Sequence, residues 1–300
     1  MELMKKFDLP PSLDLNWISQ QALDTWEGVI QDISLMIQEL EIESVAAGHR
    51  PCAWRTIGLK EIDDFSRRCA EIDLSVLPVK QVGDWGNGFS HFNPPVKEGE
   101  TPNIYCIIYR NIQDARVLAK AHDDEDHITQ GKMLGFPDCC VKFFDRVWKD
   151  GYFDPVWQIA LDDEKKSPPG KLPGESIRTL DAHPFSNPLL RYVGVRVGFH
   201  VPCSFHCQKS IAVAQQRLSL CLKSERKDLI PLLTSLLSMP VEWNVYRGIA
   251  VVKTPVFYLR TNSIPTKEHY TVRLQGTFKP REAARGVCFP FQENPDDSRK

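Results

Sequence analysis

Two short cysteine motifs place the strongest constraint on how this chain can fold. They are Gly135-Phe136-Pro137-Asp138-Cys139-Cys140 and His200-Val201-Pro202-Cys203-Ser204-Phe205-His206-Cys207. Pro137 breaks any helix before it, and Asp138 is a good N-cap for one after it, so Cys139 and Cys140 fall at the first helical positions. In the second motif Ser204 is the natural N-cap, with Cys203 just before the helix and Cys207 near its third position. Unpaired backbone N–H groups and the positive end of the helix dipole favour thiolates at both places. A fold that turns these two helix ends toward each other builds a thiolate cluster for a soft metal centre. Its ligands are three or four of Cys139, Cys140, Cys203 and Cys207, with His200 and His206 as possible additions.

Spacing weighs on which metal fits. Adjacent cysteines on a helix diverge by about 100°, which disfavours both gripping one tetrahedral zinc. An iron–sulfur cluster offers several irons and tolerates that divergence better. Structural zinc sites usually show two-residue cysteine gaps, whereas this chain has Cys-x3-Cys and no Cys-x2-Cys. The Cys-x3-Cys-x2-Cys pattern of radical S-adenosylmethionine enzymes fails because Ser210 stands at its third position. The expected cofactor is therefore a [4Fe–4S] cluster, with zinc as the alternative and a metal-free vicinal thiol pair as a third reading.

The other five cysteines, Cys52, Cys69, Cys106, Cys221 and Cys288, read as inert or as small buried hydrophobes. An odd total of 9, two of them adjacent, speaks against a disulfide framework. With no apolar start and no run near the ~18 residues of a membrane helix, the chain is expected to be soluble, without membrane contact, and cytoplasmic. Charge is uneven. Residues 1–150 hold 25 acidic against 16 basic side chains, and residues 151–300 hold 14 against 21. The basic half (Arg260, Lys267, Arg273, Lys279, Arg281, Arg285) suits a small anionic substrate or, as a further partner, nucleic acid. The net charge of -2 argues against a dedicated nucleic-acid binder.

Periodicity predicts an α+β fold, with helical N-terminal and middle regions and a small antiparallel sheet near the C-terminus. Ile30, Ile33, Met36, Ile37 and Leu40 mark an amphipathic helix, and Ile57 to Ala70 hints at another. Gly83 to Phe89 (GDWGNGF) reads as a loop. Ile104 to Tyr109 suits a buried strand, and Asn111 caps a helix reaching toward Gly131. Cys139–Lys149, Ser204–Leu222 and Lys227–Ser238 read as helices, with a long Pro- and Gly-rich connection at 162–188. VEWNVY, IAVVKTPVFYLR and HYTVRL read as strands. Two regions follow: 1–100, helical and of no assigned role, and 101–300, carrying the cysteine motifs.

Three further groups are candidates. In Ala121-His122-Asp123-Asp124-Glu125-Asp126-His127 a continuous helix sets Asp123 one turn from His127 and His122 one turn from Asp126, pairs suited to a carboxylate-oriented base or to a solvated helix face. His200 shares its motif with two cysteines and suits a ligand or acid–base role. Arg191 and Arg196 lie in RYVGVRVGFH, whose alternation predicts a strand leading into the metal site, and are placed to clamp a carboxylate or phosphate.

The segments GKMLGFPDCCVKFF and HVPCSFHCQKS resemble an uncharacterised microbial domain family of unknown function. That family is marked by G-[YF]-P-x-C-C-x-x-F and H-x-P-C-S-x-x-C-x-x-S blocks, matched here by Gly135, Pro137, Cys139, Cys140, Phe143, His200, Pro202, Cys203, Ser204, Cys207 and Ser210. The resemblance spans about residues 100–260 and implies that the two blocks belong together. The expectation is an iron–sulfur enzyme of lyase or sulfur-transfer type, whose open iron acts as a Lewis acid on a small anionic substrate, with His200, His122, His127 and Asp123 in catalytic roles. The competing readings are a zinc- or cluster-stabilised binding module and a metal-free thiol redox enzyme.

Overall fold

The computed structural model describes residues 13–83, 95–149, 159, 177–222, 225–244 and 249–262. The fold is α+β, as the periodicity predicts. Strand β1 (Leu13–Trp17) leads into helix α1 (Gln20–Ala46), whose N-cap Ser19 accepts a 3.0 Å hydrogen bond from the Ala22 N–H. The predicted stripe Ile30, Ile33, Met36, Ile37 and Leu40 is buried along one face of α1. Strand β2 (Cys52–Gly58), helix α2 (Ile62–Ala70) and strand β3 (Ser75–Val82) follow. The helix expected over 57–70 is thus shorter, because its first residues belong to β2.

Strand β4 (Asn103–Tyr109) pairs antiparallel with both β2 and β3, in the order β2-β4-β3. Pro78 lies at a register shift on edge strand β3, a place where a missing N–H costs no ladder bond. Val45, Phe65 and Cys69 of α1 and α2 pack with Ala53, Ile57, Cys106 and Ile108 of the sheet in one cluster. In a second cluster Ala115 and Leu118 of helix α3 (Ile112–Asp123) meet Cys52, Trp54, Tyr105 and Ile107. Central β4 is therefore buried on both faces, which explains its uninterrupted apolar run. The expected boundary near residue 100 falls between two strands that pair with each other, and the first hundred residues contribute three strands as well as helices.

Asn111 caps α3 as predicted, accepting from the Gln113 N–H at 2.9 Å. The helix stops at Asp123 instead of reaching Gly131. Glu125 takes a left-handed turn (φ 54°), and Asp126 caps a new helix α4 (His127–Met133) through the Thr129 N–H. Helix α5 (Asp138–Lys149) follows. The connection at 162–188 is described only from 177, where it supplies strand β5 (Ile177–Leu180) and a 3-10 turn at Pro184–Ser186.

The predicted strand over 191–200 is absent. A 3-10 turn (Arg191–Val193) ends on left-handed Gly194, where a Cβ would lie 2.0 Å from Ser34 Oγ of α1. Val195 and Val197 alternate with less buried neighbours because the segment lies against the main core, not because it joins a sheet. Helix α6 (Gln208–Cys221) and helix α7 (Leu229–Leu237) follow. Strands β6 (Val241–Asn244), β7 (Ile249–Lys253) and β8 (Phe257–Asn262) complete an antiparallel sheet ordered β1-β8-β7-β6-β5. The C-terminal sheet thus recruits β1 from the opposite end of the chain. HYTVRL, Asp84 to Phe89, and Lys267, Arg273, Lys279, Arg281 and Arg285 lie outside the described residues.

Helices α4 and α5 meet so closely that a Cβ on Gly131 would stand 2.4 Å from Val141 Cγ2. Gly131→Ala is therefore expected to destabilise the protein by about 1–3 kcal/mol, as overpacking does, read as a lower urea midpoint with an unchanged slope.

Candidate metal centre

The site is assembled from two chain segments. Left-handed Gly135 (φ 66°) turns the chain out of α4; a Cβ there would press on Arg50 Cβ at 2.7 Å. Pro137 follows, its carbonyl accepting from the Cys140 and Val141 N–H groups, and α5 begins at Asp138. The second segment runs irregularly from His200 to Cys207, which is itself the N-cap of α6 with no side-chain capping bond. Helix α6 thus starts later than Ser204 predicts, and Ser204 instead accepts through its carbonyl from the Cys207 N–H.

These two helix ends face each other. The sulfur atoms of Cys139, Cys140, Cys203 and Cys207 all lie within 4.8 Å of one another, a grouping able to hold a metal ion. Cys139 and Cys140 are 3.8 Å apart, Cys139 and Cys207 3.7 Å, and Cys140 and Cys207 3.6 Å. Adjacent positions on α5 do not prevent convergence. The ~100° divergence applies to Cα–Cβ bonds, and the Cβ–Sγ bond is free to turn back toward a common point.

Polar support is local. Ser210, two residues into the buried face of α6, places Oγ 3.2 Å from Cys140 Sγ and 2.8 Å from His200 Nε2. The Cys203 N–H donates to Cys140 Sγ at 3.3 Å. Burial pushes the Cys140 thiol upward, against donation from Ser210 and the Cys203 backbone. Burial, reinforced by Cys207 and Cys139, pushes Cys203 to about 12. Burial also opposes the Cys207 thiolate, but donation from the Ser210 side chain and backbone, with the Cys140 and Cys203 thiols, outweighs it and brings Cys207 to about 7. Thiols this close repel one another as anions, and a bound cation removes that conflict.

His200 lies behind the sulfurs, joined to them through Ser210, and its ring is 5.1 Å from that of Phe136. Burial, then the charges of Arg217 and Arg50, lowers its pKa to about 3, so the ring is neutral. His206 stands apart, half-exposed, with Nε2 3.6 Å from an Asp181 carboxylate oxygen.

The acidic-histidine segment does not reach the cysteines. The helix break at 124–126 removes the one-turn pairs Asp123/His127 and His122/Asp126. His122 packs edge-on against Trp54 and Tyr105, with ring centroids 5.2 and 5.6 Å away, and Asp123 is exposed. His127 Nδ1 lies 3.5 Å from Asp145 Oδ1 and its ring meets Phe144. Arg191 donates to the Pro188 carbonyl at 3.1 Å, and Arg196 lies over the Phe199 ring at 5.8 Å. Arg196 thus belongs with Arg50 and Arg217 to a cationic group around the Phe199 ring.

Sequence reasoning missed Arg50 and Arg217 in that group. Arg217 shares the buried face of α6 with Ser210, Ala214 and Cys221. A charged residue in phase with a buried stripe was the available signal.

Comparison with profiles of known protein families, with curated proteins and with solved structures finds no match. Among the described residues, no helix is long and apolar enough to cross a membrane.

Ser210→Ala removes the hydroxyl shared by Cys140 and His200 and leaves a buried imidazole nitrogen unpaired. A loss of about 1–3 kcal/mol of stability is expected, with four cysteines still present to bind metal. Chemical denaturation alongside metal analysis reads both effects.

Proposed function

We propose that Cys139, Cys140, Cys203 and Cys207 hold a single tetrahedral ion, zinc, and that the chain is a metal-stabilised binding module. One observation carries this reading: the sulfur separations of 3.6–3.8 Å among Cys139, Cys140 and Cys207, with Cys203 within 4.8 Å of each. A tetrahedron of sulfurs at about 2.3 Å from one ion has edges of about 3.8 Å. A cubane spreads its four thiolates over four irons and needs them farther apart. The donor set fits as well, since four thiolates with no oxygen ligand suit zinc.

With four protein ligands zinc has no open position, so its contribution is to stability. It ties the start of α5 to the start of α6. Through α4 and α5 it fastens the β2-β4-β3 unit to the α1–α6–α7 core. The Lewis-acid reading of an iron–sulfur enzyme requires an open coordination position, which four bound thiolates would not leave. Ser210 and the Cys203 N–H then serve as outer donors that moderate thiolate charge and fix side-chain orientation.

The test is elemental analysis with acid-labile sulfide on protein purified anaerobically. About one zinc per chain and no sulfide is expected, with zinc lost and the melting temperature lowered in Cys140→Ser and Cys207→Ser. Stoichiometric iron and sulfide, with visible charge-transfer absorption, would replace this reading with the cluster. Metal-free, folded protein with rapidly alkylated Cys139 or Cys140 would replace it with a thiol enzyme.

A further inference from the structure

The four cysteines of the cluster are not equally accessible. Cys140 and Cys207 are buried, at 1% and 7% exposure, whereas Cys139 and Cys203 are only half-buried. A small oxidant therefore meets Cys139 or Cys203 first.

Geometry decides which sulfur can answer. Cys139 and Cys140 are excluded as a pair. Adjacent Cα atoms stand about 3.8 Å apart, short of the ~4.4 Å at which ordinary disulfides begin, and both residues are fixed in the first turn of α5. Across the two segments the sulfurs of Cys139 and Cys207 are 3.7 Å apart, and closing to the ~2.05 Å of a disulfide takes little movement. Cys207 needs no access of its own, because it attacks a neighbour. Cys140 is as near to Cys207, at 3.6 Å, but is shielded from an oxidant. Cys203 is tied elsewhere, its N–H donating to Cys140 Sγ at 3.3 Å. Between Cys203 and Cys207 the Phe205 ring is fully buried, and its carbonyl accepts from the His183 N–H at 3.0 Å and from Ser186 Oγ. A bond from Cys203 to Cys207 has to close around that pinned residue. A bond from Cys139 to Cys207 joins two helix starts that already face each other.

We propose that the cluster is a peroxide-responsive crosslink, in which oxidation releases the metal and joins Cys139 to Cys207. The inference deepens the zinc reading by naming its regulation, and its release step rests on that reading. Hydrogen peroxide meets the Cys139 thiolate: an S–O bond forms, the O–O bond breaks and hydroxide leaves. The Cys207 thiolate then attacks the Cys139 sulfenic sulfur, forming the S–S bond, breaking the S–O bond and expelling a second hydroxide. Two sulfurs give up one electron each, and peroxide takes both. Cys140 and Cys203, the two thiolates left, no longer hold zinc. A dithiol returns two electrons and restores the four-thiolate set. The starts of α5 and α6 stay tied in both states, by the ion in one and in the other by a bond spanning 68 positions of the chain, long enough to constrain the unfolded state strongly.

The experiment treats the full chain, its zinc content measured beforehand, with hydrogen peroxide. A chromogenic chelator follows zinc release, and non-reducing tryptic digestion with fragmentation mass spectrometry maps the bond. Trypsin leaves Cys139 and Cys140 in peptide 133–142 and Cys203 and Cys207 in peptide 197–209, so a cross-segment bond joins the two peptides and a local bond does not. Zinc release in step with a Cys139–Cys207 bond is expected, reversed by dithiothreitol and added zinc. The oxidised chain should melt above the reduced chain stripped of metal by a chelator. Cys139→Ser should slow peroxide-driven zinc release at least about tenfold; if that variant does not bind zinc, the map of the parent decides the matter. Zinc retained under peroxide, a bond within either peptide or between two chains, or oxidation that dithiothreitol does not reverse would overturn the proposal. A parent without zinc overturns the metal reading and the release step with it, and is recognised before any peroxide is added.

Discussion

Four sulfurs within 4.8 Å of one another, three of them only 3.6–3.8 Å apart, cannot all be thiolates unless a cation sits among them. Much of the geometry around them serves to bring them there. Gly131 lets α4 lie against Val141 of α5, and Gly135 makes the left-handed turn that aims Pro137 and the following helix start. On the other side the chain passes from His200 to Cys207 without regular structure, and α6 begins only at Gln208. Such a segment has few backbone bonds of its own. A metal fixing Cys203 and Cys207 would supply what the backbone does not.

The surrounding cores make this junction rigid. The main core gathers α1, α5, α6, α7 and the larger sheet, while β4 is buried between α1 and α2 on one face and α3 on the other. Helix α1 enters both regions, with Ile33 and Met36 in the first and Val45 in the second. Phe143 and Val147 anchor α5 in the main core, and the first turn of that helix carries two of the four cysteines. The cysteine cluster therefore sits where separately packed cores meet, which is where a crosslink between helix starts would add most.

Local signals were legible in the sequence wherever they rested on short-range chemistry. Asn111 as a cap, the α1 stripe, the buried β4 run and the convergence of Cys139, Cys140, Cys203 and Cys207 all follow from residue type and spacing. Long-range pairing was not legible: nothing in Leu13–Trp17 announces that its partner is Phe257–Thr261. Alternation at 191–200 suggested a strand, but a segment lying against a core produces the same pattern. The run from His122 to His127 looked like a continuous helix face until Asp126 took the stronger role of capping a second helix. The argument from adjacency treated the two cysteines as rigid vectors, whereas one rotatable bond per side chain lets their sulfurs stand 3.8 Å apart.

His200 and Ser210 acquire their meaning from what lies on either side of them. Four thiolates on one divalent ion would carry net negative charge, whereas the group around Phe199 holds three guanidiniums against Glu41. Between them stands a neutral imidazole, bonded through Nε2 to Ser210 and through that hydroxyl to Cys140. A neutral hydrogen-bonded pair transmits orientation without contributing charge of its own. Protonating His200 would add a further cation beside Arg217 and Arg50, and those two charges, after burial, are what hold it neutral. Arg50 Nη2, Arg217 Nη1 and His200 Nδ1 are buried there without a hydrogen-bond partner among the described residues, so the positive side of this arrangement keeps unused donor capacity.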